Sequence, residues 1–134
     1  MTTTTSLAPL LERFFTLRLM QQRQASPHTI KSYRDTFRQW LLFAQQRLHQ
    51  PPSRLHVEQI DAPLIVAFLD DLEHQRGLSV RSRNLRLTAI HSFLRYAAFE
   101  LPTHAAQIQR VLAIPSGIHL KRDTLWYQPD SVMA

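Results

Sequence analysis

Apolar residues recur along most of this chain at the spacing of a helix face, and that pattern divides it into successive amphipathic segments. Leu7, Leu10, Leu11, Phe14 and Leu17 form the first stripe. It predicts a helix from about Ser6 to Gln22, with Ser6 as cap and Pro9 tolerated in the first turn. Ser26 and Pro27 open a second helix reaching about Leu48, since proline at the first helical position loses no intrahelical bond. Its inner stripe is Ile30, Tyr33, Phe37, Trp40/Leu41, Ala44 and Leu48. Pro51 and Pro52 force an extended link, from which Val57 and Ile60 are expected to plug the core. Asp61 caps a third helix lined by Leu64, Ile65, Phe68, Leu69 and Leu72, and Gly77 stops it. Ser79 caps a fourth, to about Glu100, with Leu87, Ile90, Leu94 and Ala97 inward and Arg81, Asn84, Thr88, Ser92 and Arg95 outward. A short fifth helix is expected over His104 to Leu112. No strand pattern with Asn-Gly turns occurs, so the reading is an all-α domain. Residues 1–6 read as a disordered tail, 7–115 as the domain, and 116–134 as an irregular linker.

Charge adds a partner to this picture. Sixteen basic residues face ten acidic ones, a formal net charge of +6, and all the cations but Lys31 and Lys121 are arginine. Arginine forks suit phosphate and guanine, so the balance favours nucleic acid over an anionic membrane surface. The cations concentrate in two helix starts. One is Ser26 to Arg34, with His28, Thr29, Lys31, Ser32 and Arg34; the other is Ser79 to Leu87, with Ser79, Arg81, Ser82, Arg83 and Arg86. Backbone N–H groups, hydroxyls and arginines together suit a phosphate backbone, and the first turns of a helix in the major groove reach base edges. A polar first turn is also ordinary capping in any helix. Arg83 could instead pack its stem on the apolar stripe, and Arg86 could pair with an acid on the third helix.

Other chemistry is sparse. With no cysteine, disulfides and thiolate metal sites are excluded, and a reducing, cytoplasmic compartment is compatible. No apolar run approaches the roughly twenty residues that span a bilayer. His28, His49, His56, His74, His91, His104 and His119 are scattered without metal-ligand spacing, Asp70 and Asp71 point to different helix faces, and two glycines cannot build a phosphate loop. No metal, no cofactor and no catalytic residue is expected.

Two runs carry a family resemblance. S-P-H-T-I-K-S-Y-R-D-T-F-R-Q-W-L-L-F-A, from Ser26 to Ala44, resembles the second helix of the core-binding domain of tyrosine recombinases, the phage integrase family, whose usual shape is S-x-x-T-x-x-x-Y-x-x-x-L-x-x-F-x-x-F. Ser26, Thr29 and Tyr33 match, with Phe37 and Trp40 at apolar places. S-R-N-L-R-L-T-A-I-H-S-F-L-R-Y-A, from Ser82 to Ala97, resembles the family's T-x-N-x-x-L-S-A-L-R-S-F-F-R-Y-A through Asn84, Leu87, Ala89, Ser92, Phe93 and Tyr96, while His91 replaces a common arginine. The resemblance implies a four- to five-helix SAM-like orthogonal bundle over residues 7–115. It further implies a DNA clamp closed by a catalytic domain of the same parent chain, carrying the tyrosine nucleophile, and other recombinase protomers as partners on DNA. That domain would lie beyond Ala134, so the chain is expected to be a shortened gene product or part of a longer one, without cleavage activity of its own. Tyr33 and Tyr96 fall at core positions and Tyr127 in the linker, where Lys121 and Arg122 would touch the DNA backbone. Two other classes fit the residues: a stand-alone transcriptional DNA binder, disfavoured by the long link around Pro51 to Asp61, and a helical interaction module without DNA.

Overall fold

The computed structural model describes residues 5–116, and they form a five-helix bundle with no strand among them. Helix α1 (Leu7–Arg13) passes without a break into a π-helical stretch (Phe14–Gln22). Helix α2 (Pro27–Leu48) ends at His49, which takes a left-handed φ of 57° just before the two prolines. Helix α3 (Ala62–Asp70) likewise runs into a π-helical turn (Asp71–Gln75), α4 spans Val80–Glu100, and α5 (Ala105–Leu112) follows a 3-10 turn at Pro102–His104.

The apolar stripes meet in one core. Phe14 sits at its centre, with ring centroids 6.2 Å from Phe37, 5.5 Å from Phe93 and 5.7 Å from Tyr96, so an aromatic seam ties α2 and α4 to the π-helical stretch. Aromatic pairs at such spacing add to the area they bury. The predicted inner residues of α3 are all buried, as are Leu87, Ile90, Leu94 and Ala97 of α4. Gly77 has φ +68° with open space where a Cβ would stand, so backbone conformation is what its position requires.

The first helix departs from its predicted stripe. Leu17 is exposed, and Leu19 is fully buried in its place. The cause is the π geometry: hydrogen bonds run from residue i to i+5, as in Arg23 N–H to Arg18 carbonyl at 2.9 Å, so the residue five places after Phe14 returns to the core. Ser6 stands at the N-cap but makes no side-chain capping bond. The Leu7 N–H instead donates to the Leu55 carbonyl at 2.9 Å, and Val57 N–H to the Thr5 carbonyl at 2.9 Å. Thr5 and Ser6, the last residues of the segment read as a tail, thus run beside the 55–60 loop.

That loop plugs the core with Val57 and Ile60 as expected, and with Leu55 as well. Gln107 of α5 donates to the carbonyls of Val57 and Ile60, at 2.8 and 2.6 Å. His104 Nε2 lies 2.6 Å from Glu58 Oε2. Burial would raise the Glu58 carboxyl, but hydrogen bonds from His104 and from the loop and Thr5 backbone outweigh it and leave its pKa below the ordinary value.

Candidate nucleic-acid interface

Helices α2 and α4 begin with the same local device. Ser26 is extended (φ −65°, ψ 155°) and its Oγ accepts from Thr29 N–H at 3.1 Å; Ser79 is extended (φ −68°, ψ 161°) and its Oγ accepts from Ser82 N–H at 3.1 Å. Each cap hydroxyl also contacts the hydroxyl three residues on, at 3.1 Å to Thr29 and 3.2 Å to Ser82. Because Pro27 has no N–H, the first turn of α2 keeps one uncapped N–H, that of His28, and α4 keeps two, those of Val80 and Arg81; a helix start of this kind favours negative charge nearby.

The two starts meet in a cleft of about 250 Å³. Its lining joins His28, Lys31 and Ser32 from α2 with Leu85 and Arg86 from α4, and Asp35 and Thr36 complete it. Arg86 is oriented by the fold: its Nε donates to Gln39 Oε1 at 2.8 Å and its Nη1 to the Ser82 carbonyl at 3.0 Å. Lys31 lies on the surface, 3.1 Å from Asp35, which also takes Arg38 at 3.4 Å. Exposed pairs of this kind contribute at most about 1 kcal/mol, so phosphate can displace the carboxylate from Lys31.

The other expected contact residues are dispersed. Arg81 is exposed and makes no ion pair among the described residues. Arg34 turns to the opposite flank of α2, where it lines a larger apolar cleft of about 650 Å³ with Leu7, Leu11, Phe15 and Leu41. Arg83 is only 13% exposed, its Nε 2.7 Å from Glu73 Oε1; this is a charge contact rather than an aligned hydrogen bond, and Nη1 donates to Asn84 Oδ1 at 3.1 Å. The acid following the third helix thus engages Arg83, and Arg86 goes to α2. Lys121 and Arg122 lie outside the described residues.

Residues 11–100 match the model of the phage integrase N-terminal SAM-like domain. The chain belongs to this family. Two relatives from Sinorhizobium fredii (strain NBRC 101917 / NGR234), both named provisionally as integrase/recombinase, are similar to it. The first, y4rC, is 79% identical over 87% of this chain and 35% of its own length. The second, y4rD, is 49% identical over 81% of this chain and 39% of its own length. The chain therefore spans little more than a third of these relatives. No solved structure matches significantly.

The SAM-like domain also contains residues that the sequence pattern did not mark. Gln39 anchors Arg86, and Arg23, in the link before α2, donates from Nη1 to Ser92 Oγ of α4 at 3.3 Å. Neither carries a signal beyond polarity. His91, at the place of a common family arginine, sits with Nε2 3.0 Å from the Val111 carbonyl of α5. Its pKa is held below the ordinary imidazole value by desolvation, against the Val111 hydrogen bond and with help from nearby Arg95. Its contact is with the fold itself. Among the described residues no cluster of acids and histidines could hold a metal ion, and no helix is long and apolar enough to cross a membrane.

Proposed function

We propose that this chain binds duplex DNA as the core-binding module of an integrase/recombinase, gripping it through the first turns of α2 and α4. The observation that carries the reading is the shared cleft, in which His28, Lys31, Ser32 and Arg86 converge from two identically capped helix starts. Lys31 and Arg81 supply exposed charge, Arg86 supplies an oriented guanidinium, and Thr29, Ser79 and Ser82 supply hydroxyls for phosphate. Arg83 contributes at the margin of this face, Arg34 adds charge only from the opposite flank of α2, and Lys121 and Arg122 extend contact along the backbone toward a catalytic domain. In the parent protein that domain and further protomers would complete the clamp for site-specific recombination, as the names of the relatives suggest for them.

The test is equilibrium binding of the chain to duplex DNA across a salt series. Binding is weak and falls steeply with salt, because each neutralised phosphate releases counterions. Lys31→Ala and Arg81→Ala each weaken it and lower the log–log slope by about one. Asp35→Asn, which releases Lys31 and Arg38, strengthens it. Affinity unchanged between low and high salt would instead favour a helical interaction module, the reading that the apolar cleft beneath α1 supports.

A further inference from the structure

Leu85 is chemically foreign to its surroundings. It is 60% exposed on the second turn of α4 and belongs neither to the core nor to the apolar residues packed against it. One helical turn to either side are Arg81 and Thr88, both exposed. Across the cleft stand His28, Lys31 and Ser32 of α2. Among the described residues this side chain lines the cleft and joins no apolar cluster, and the cations around it disfavour an apolar protein partner.

We infer that Leu85 is a specificity-determining residue that reads the C5-methyl group of thymine in the major groove. The inference rests on the DNA-binding reading above and adds the base recognised. Thymine alone presents an apolar group on the major-groove edge, and apolar side chains are the ones that meet it. Flanking cations hold the helix against the phosphates, and the side chain one turn in from the start then faces the bases. Insertion as a wedge between minor-groove base steps is disfavoured, because that groove, about 6 Å wide, does not admit a helix about 10 Å across.

The test uses two randomised duplex pools of the same design, one prepared with thymidine and one with deoxyuridine, which lacks only the methyl group. The chain prefers the thymine pool, by up to about fourfold per methyl contacted, the factor expected for burying one such group. Leu85→Ala, an exposed substitution, keeps its fold by circular dichroism and loses the preference. Lys31→Ala binds both pools more weakly and retains the preference. Equal thymine-to-uracil ratios for the chain and Leu85→Ala overturn the assignment while leaving salt-dependent DNA binding intact. Bending of the duplex by the chain, without methyl dependence, overturns it in favour of a wedge. Absence of salt-dependent binding by the unmodified chain overturns the DNA reading itself, and this inference with it.

Discussion

The starts of α2 and α4 are near copies up to the cap and diverge immediately after it. Both use a serine with the same extended backbone and a 3.1 Å bond to the N–H three residues on. Beyond that, the α2 cation Lys31 pairs locally with Asp35, four residues away, and remains exposed. On α4, Arg83 is drawn in against Glu73 and Arg86 against Gln39, so two of its cations are held by other elements. The difference teaches that a basic helix start has two separable parts. The cap is a local device. The fate of each cation is decided by what the fold brings beside it, and an arginine given to an internal acid is less available to phosphate than an exposed lysine.

The largest effects should come where the comparison vanishes, in the core that both helices share. Phe37→Ala on α2 and Leu94→Ala on α4 each destabilise the fold by about 2–5 kcal/mol in chemical denaturation, as buried large-to-small changes do. Both lose DNA binding together with structure. If one helix tolerated its substitution with little loss of stability, the two starts would not be parts of one cooperative unit.

The next effect separates the two starts. Arg83→Ala leaves Glu73 without its partner in a half-buried place and destabilises by about 1–3 kcal/mol. Lys31→Ala and Arg81→Ala stay within about 0.5 kcal/mol of the parent, as exposed substitutions do. Thermal melts read the contrast directly. Arg81→Ala as damaging as Leu94→Ala would show that Arg81 is structural, and it would leave the proposed face.

The same division explains what could be read from the residues alone. Stripes and caps are set by neighbours in sequence, so the α3 and α4 inner faces, the caps Ser26, Asp61 and Ser79, and the stop at Gly77 were all legible. The exchange of Leu17 for Leu19 was not, because a change from i+4 to i+5 hydrogen bonding leaves the composition of the stripe unaltered. Ser6 fails as a side-chain cap because its neighbour Leu7 bonds to a loop far along the chain. The residues of the candidate site were legible as a set of types, and their convergence on one cleft was not. Arg86 finds Gln39, 47 residues away, and Arg83 turns inward, through contacts that no local spacing encodes.

The smallest effect tests whether the caps are as alike as their geometry. Ser26→Ala and Ser79→Ala each remove one side-chain acceptor from a first-turn N–H and should cost about 1 kcal/mol. Glycine at either position should cost only a few tenths, because it leaves the N–H open to water. Among the described residues the two caps share no hydrogen-bond partner, so the double substitution should cost the sum within about 0.5 kcal/mol. Chemical denaturation of the two single variants and the double variant measures all three. A loss at Ser79 well above that at Ser26 would mean that the α4 cap also holds Arg83 and Arg86 in place, and that local and tertiary order are coupled there. Equal losses would confine the asymmetry to the cations, so any difference between the two starts in DNA affinity would be traced to Lys31, Arg81 and Arg86 rather than to the helix ends.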